Sequence, residues 1–163
     1  MKLLRVVASN FKNCCDNFTI DFVAKSRKTS EDKEYELQAI ADDLYAFNTV
    51  AFVGKNASSK TTAVDLLDCC NSILSDFCLE NKYYSYDGIK LEIIFYHEGF
   101  IYRYRTELGP STSFSNKVSF INQTLEQKKY YRSKLKSIYL DDDFEPVSNI
   151  SALPEDTSIT SCA

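Results

Sequence analysis

A lysine and two threonines, placed six residues after a glycine, carry the chain's strongest chemical signal: Gly54-Lys55-Asn56-Ala57-Ser58-Ser59-Lys60-Thr61-Thr62. These residue types suit the grip of a phosphate chain. A loop that opens a helix aims unpaired backbone N–H groups at one point, and the helix dipole favours negative charge there. Lys60 adds a full positive charge, and Thr61 offers a hydroxyl to a Mg²⁺ that bridges two phosphates. Ser59 stands where the pattern G-x-x-x-x-G-K-[ST] has its second glycine, and Ala57 where many such loops carry another. Each adds a Cβ beside backbone that must wrap phosphate closely, which loosens the grip or reshapes the loop.

A loop of this kind works only between a strand and a helix. Val50 to Val53 are apolar or small and β-prone, as in a strand buried on both faces. After the lysine, apolar side chains recur at Ala63, Leu66, Leu67, Cys70, Ile73, Leu74 and Phe77, the spacing of a helix that ends near Phe77 to Asn81. Strand, loop and helix in that order make the segment 54–62 a P-loop. The plainer alternative is a serine-rich loop that leaves Lys60 in water.

Around this centre the chain reads as mostly strands. Lys2 to Ala8 and Phe18 to Val23 form a hairpin through a turn at Asn10 to Asn17. Ala24 to Lys33 is a charged loop, and Tyr35 to Tyr45 is either a short strand or a turn-rich connection. Ile89 to His97 and Phe100 to Glu107 flank Glu98-Gly99, a two-residue spacer with the composition of a tight hairpin turn. Gly109-Pro110 closes that unit, Val118 to Ile121 adds a strand, and Lys128 to Tyr139 reads as a helix with Leu135 and Tyr131 inward. From Asp141 onward the chain is acidic and turn-prone.

The 163 residues suit one domain, 1–163, and 44% hydrophobic with 26% charged residues describes an ordinary globular protein. A net charge of −4 announces neither a nucleic-acid nor a membrane partner. No apolar run reaches membrane-spanning length, and the N-terminus is too short and polar for a secretory signal, so no membrane partner is expected. Six cysteines without C-x-x-C spacing point to a reduced, cytoplasmic setting, with Cys69, Cys70 and Cys78 as apolar filler on the helix.

Three further constellations carry weaker chemistry. Ile138-Tyr139-Leu140-Asp141-Asp142 has the outline of a Walker B strand, whose carboxylates hold metal and polarise water, but its apolar lead-in is short. A solvated acidic turn explains it more simply. Lys128 to Lys136 interleaves bases with tyrosines, as a nucleic-acid patch would, or as a helix with its lysines in water. His97 lies at a hairpin and has no nucleophile that the sequence sets beside it.

The order of parts resembles the N-terminal lobe of ABC-type ATPases of the SMC, RecF and OLD kind. The turn Asn10-Phe11-Lys12-Asn13 is similar to their Asn-Phe-Lys turn, and the loop 54–62 to their G-K-N-A-S-G-K-T form. The resemblance implies an α/β fold: a P-loop NTPase N-terminal lobe, with a central sheet, the P-loop helix, and a β-rich antiparallel subdomain. It implies ATP and Mg²⁺ as cofactors, with the β- and γ-phosphates on Lys60 as catalytic lysine, Mg²⁺ on Thr61, and the phosphates cradled by Gly54 to Thr62. Lys12 and Asn13 would approach the nucleotide from the first hairpin.

The family's signature segment, a convincing Walker B strand and a switch histidine have no counterpart in the sequence. The resemblance therefore implies a second ATPase lobe or a partner head, as a homo- or heterodimer across the nucleotide. Hydrolysis by this chain alone is not expected. Through the full complex the implied work is DNA processing, DNA repair or phage defence, with possible nucleic-acid contact. The rival expectations are a degenerate regulatory or assembly module without turnover, and a self-sufficient small NTPase that uses Asp141 and Asp142.

Overall fold

A computed structural model describes residues 1–24, 36–54, 60–75, 86–110, 118–140 and 143–147. Its main body is a six-stranded sheet in the order β2-β1-β5-β6-β7-β8, built from Lys2–Ser9 (β1), Phe18–Asp21 (β2), Ile89–His97 (β5), Phe100–Pro110 (β6), Val118–Lys129 (β7) and Glu145–Pro146 (β8). A two-stranded sheet, Leu37–Ala41 (β3) with Leu44–Phe47 (β4), stands beside it. The helix α1, Lys60–Leu74, lies in sequence between the small sheet and β5.

Every pairing in both sheets is antiparallel. The fold is β-rich, and the expected α/β P-loop architecture with its central sheet is wrong. The element that fails is the central strand. Val50 to Val53 belong to no strand, and Val50 and Val53 are 40% and 93% exposed. Four apolar residues make a buried strand only when partners flank them on both sides, and no described strand pairs with these.

The sheet's alternation explains its two cores. Ile93 and Phe95 face α1 while Ile94 between them faces the other way. On the first face Val6, Ala8, Ile93, Tyr104 and Leu108 pack against Ala63, Leu66, Cys69, Cys70 and Ile73 of α1. Each fully buried Val, Leu or Ile among them contributes roughly 1.5–3 kcal/mol by leaving water. The second face is covered at one end, where Leu4, Ile94 and Ile101 meet Val23, Leu44 and Ile138. A register shift between Leu3 and Arg5 lets β1 serve both cores, because the extra residue turns Leu4 to the second core while Val6 and Ala8 stay with α1.

Both expected hairpins are present. β1 pairs with β2 across the Asn10 to Asn17 turn, and β5 with β6 across Glu98 and Gly99, whose φ values of 45° and 89° fit a two-residue hairpin turn of the primed type. Other expectations are corrected. Tyr35 to Tyr45 covers most of the β3–β4 hairpin, and the strand expected at Val118 to Ile121 runs on to Lys129. Gly109-Pro110 forms the last two residues of β6, still paired with β7, and a Cβ on Gly109 would stand 2.7 Å from Cδ1 of Ile121. The helix expected over Lys128 to Tyr139 is the end of β7 and a short 3-10 helix, Arg132–Ser137; Tyr131 is exposed, not inward. Finally, α1 is Lys60–Leu74, and Phe77 to Asn81, where the helix was expected to end, lie outside the described residues.

Candidate functional site

α1 begins at Lys60, and its first turn holds no acidic residue. The N–H groups of that turn have no partner within the helix, so the positive end of the dipole is not answered from inside its own first turn. The ammonium of Lys60 turns back and donates to the carbonyl oxygen of Gly54 at 2.7 Å. The two ends of the segment 54–60 therefore meet at the start of the helix. Thr61 is exposed beside Lys60, whereas Thr62 is only 8% exposed and faces the core, which leaves its backbone alone for a ligand. Lys55, Asn56, Ala57, Ser58 and Ser59 lie outside the described residues.

The β1–β2 turn comes to the same helix. Lys12, at φ 49°, is ion-paired with Asp65 of α1. Phe11 beside it is fully buried in the α1 core, and the Asn10 amide donates to the carbonyl of Gly88 at 3.3 Å. Asn13 is exposed on the turn. Gly54, Lys60 and Thr61 thus sit at the helix start, and Lys12 sits one turn further along it. Sequence reasoning missed Asp65. Its signal was present, since a carboxylate four residues after Thr61 falls on the same helical face.

The other candidates disperse. Asp141 and Asp142 lie outside the described residues. Three of the five bases of the 128–136 segment are engaged in the fold. Lys128 is buried and donates to the carbonyls of Ser137 and Leu140 at 3.2 and 3.0 Å, Arg132 pairs with Asp43, and Lys134 pairs with Asp143 at 2.6 Å. Lys134 holds the exposed Asp143 carboxyl below its ordinary range. Lys129 and Lys136 are exposed, so a nucleic-acid patch there has fewer charges to offer than the sequence suggests. His97 stands half-exposed at its hairpin, 3.9 Å from Glu98.

Beyond the second core, the same sheet face is a lattice of charge. Glu92 on β5 opposes Arg105 on β6 at 2.7 Å, and Arg103 on β6 pairs with Glu126 on β7 at 2.8 Å. This face forms an open groove of about 580 Å³ lined by Arg5, Lys90, Glu92, Arg105 and Glu107 among others. Cations and anions alternate across it, so it presents no single sign of charge to a ligand. The period-two charges in Ile89 to Glu107 were its sequence signal.

Among the described residues no cluster of three or more His, Cys, Asp or Glu side chains could hold a metal ion. A Mg²⁺ at this loop would instead take Thr61 and the phosphates themselves as ligands, the chemistry expected where metal arrives with nucleotide. No helix among the described residues is long and apolar enough to cross a membrane. The chain has no significant match among family models, curated proteins or solved structures.

Proposed function

We propose that this chain binds the phosphate chain of Mg-ATP at residues 54–62. The observation that carries the reading is the closure of the loop's two ends, Lys60 on Gly54 at 2.7 Å, at the start of a 15-residue helix. That arrangement gathers a cation, a hydroxyl and the N–H groups of a helix start within one helical turn. The strand that such a loop calls for is missing at Val50 to Val53, so the reading rests on the start of α1 with Lys60 and Thr61, and the antiparallel sheet contributes only the platform under the helix. The resemblance to ATPases of the SMC, RecF and OLD kind extends the proposal to a nucleotide-binding part of such a machine. A second ATPase lobe or partner head then supplies the groups that position water and stabilise the transferring phosphate.

The test is a thermal shift with millimolar Mg-ATP. Ligand at about a hundred times its Kd adds roughly 2.7 kcal/mol of stability to the folded state. The parent is expected to melt higher with Mg-ATP, and Lys60→Ala to show no shift. An unchanged Tm for the parent would refute nucleotide binding.

A further inference from the structure

Arg5 on β1 breaks the pairing of charges in the groove on the sheet face away from α1. Arg105 has Glu92 at 2.7 Å, and Lys90 stands opposite Glu107 in the β5–β6 register. Arg5 stands opposite Asp21 on one side and Ile94 on the other. Asp21 is turned elsewhere: one oxygen of its carboxylate accepts from the Tyr139 hydroxyl at 2.7 Å and from the Val23 N–H at 3.0 Å. Among the described residues no carboxylate forms an ion pair with Arg5. Its guanidinium lies over the Tyr139 ring, 4.8 Å from the centre, and its Nε is buried without a hydrogen-bond partner.

A half-buried cation with an unmet buried nitrogen calls for an anion. The unmet nitrogen is Nε, so the N–H donors of the two terminal nitrogens remain for the groove that Arg5 lines. Their planar fork matches two oxygens of a carboxylate or phosphate. Val7, the next residue of β1 on the same face, is half-buried and gives this end of the groove an apolar floor. Glu92, opposite Val7 on β5, is held by Arg105 of β6 and so repels an anion less. At about 580 Å³ the groove has the size of a small-molecule site rather than of a lone ion. We infer that this end of the groove binds a small organic oxyanion, with its carboxylate or phosphate group on Arg5 and its apolar body over Val7. The site is separate from the start of α1, and the inference does not depend on the nucleotide-binding reading.

Benzoate and phenyl phosphate, which share an apolar body and differ in the anionic group, are the probes. Each is titrated into the full chain and followed by calorimetry and by the NMR signals of the arginine Nε–H groups. The titrations are repeated in Lys60→Ala, so that phosphate at the segment 54–62 does not enter the signal. One saturable site is expected in both backgrounds, with the Arg5 Nε–H resonance moved; Arg5→Lys, which lacks that resonance, assigns it. Arg5→Met is expected to weaken binding roughly tenfold or more, and Arg5→Lys to recover only part of it, since an ammonium has no planar fork. Arg5→Lys keeps a cation beside Tyr139, so the outcome does not hang on the folding of the Met variant. Tighter benzoate assigns a carboxylate ligand, and tighter phenyl phosphate a phosphate ester. Binding unchanged by both Arg5 substitutions, or no binding of either probe up to about 10 mM, would overturn the inference.

Discussion

The ammonium of Lys60 lies 2.7 Å from the carbonyl oxygen of Gly54, so the loop's own backbone holds its cation before any ligand arrives. A phosphate bound as proposed would have to compete with that carbonyl. A neutral backbone oxygen is the weaker acceptor, since a phosphate adds charge–charge attraction to the same ammonium hydrogen bond. Without nucleotide, Lys60→Ala is therefore expected to lower stability by about 1 kcal/mol or less, read from the urea midpoint. A loss of several kcal/mol would make Lys60 a structural strut.

Arg103 is 3% exposed, holds Glu126 at 2.8 Å and lies 4.0 Å from the centre of the Phe144 ring. Removing the anion leaves a buried guanidinium without its carboxylate, whereas replacing the cation with an apolar side chain of similar length removes the need for one. Glu126→Ala is expected to cost about 3 kcal/mol and Arg103→Met clearly less. Chemical denaturation of the two variants gives the order, and the reverse order would show that the guanidinium itself supports the sheet.

Cys69 and Cys70 pack under α1 against the sheet, and burial first, then the neighbouring Asp68, pushes the Cys69 thiol up to about 12. Burial also raises Cys70. A raised thiol means that the unfolded chain releases its proton first. The stability tied to the neutral thiol is complete below the unfolded value near 9 and falls as pH rises towards 12. Within that window each thiol contributes a slope of up to about 1.4 kcal/mol per pH unit. Cys69→Ala is expected to flatten the alkaline limb of the stability profile measured by urea unfolding.

Glu98 takes φ 45° at the first position of the β5–β6 turn, a conformation that Asn adopts more readily. Its contact with His97, at 3.9 Å, is exposed and contributes little. Glu98→Asn is expected to raise stability by about 0.5–1 kcal/mol, seen as a higher Tm. A fall in Tm would mean that the turn depends on the Glu98 carboxylate.

What the sequence made legible depended on how locally each signal was set. The hairpins at Asn10 to Asn17 and Glu98-Gly99 could be read because alternation and turn residues sit side by side. The face of α1 could be read for the same reason: Ala63, Leu66, Cys70 and Ile73 are buried at helical spacing. Val50 to Val53 misled because an apolar run states only a wish for burial, and strand formation depends on partners far away in sequence. Lys128 to Tyr139 misled because Tyr130, Leu135, Ile138 and Tyr139 do pack inward, on the second core, yet from a strand end and a 3-10 turn. Gly109 reads as punctuation and does stand at the end of β6, but its close approach to Ile121 shows only in the fold. Of the candidate site, the helix start and Lys60 were legible. The Lys12–Asp65 contact was not, since pairing between residues so far apart in sequence depends on the finished fold.

The pairing of β1 with β5 also orders the events of folding. β5, β6 and β7 follow one another as neighbours, so they can zip from their turns with short loops to close. β1 joins by matching Ser9 to Lys90 and Lys2 to Tyr96, which closes a loop of about eighty residues. The segment 54–60 and α1 lie inside that loop, between the late partner and the early meander. A chain still emerging, or one caught with β1 undocked, therefore holds the glycine, the lysine and the helix without the surface that sets them in register. A ligand at this loop would act as a reporter of completed assembly, recognising the chain only after its first strand has found its place.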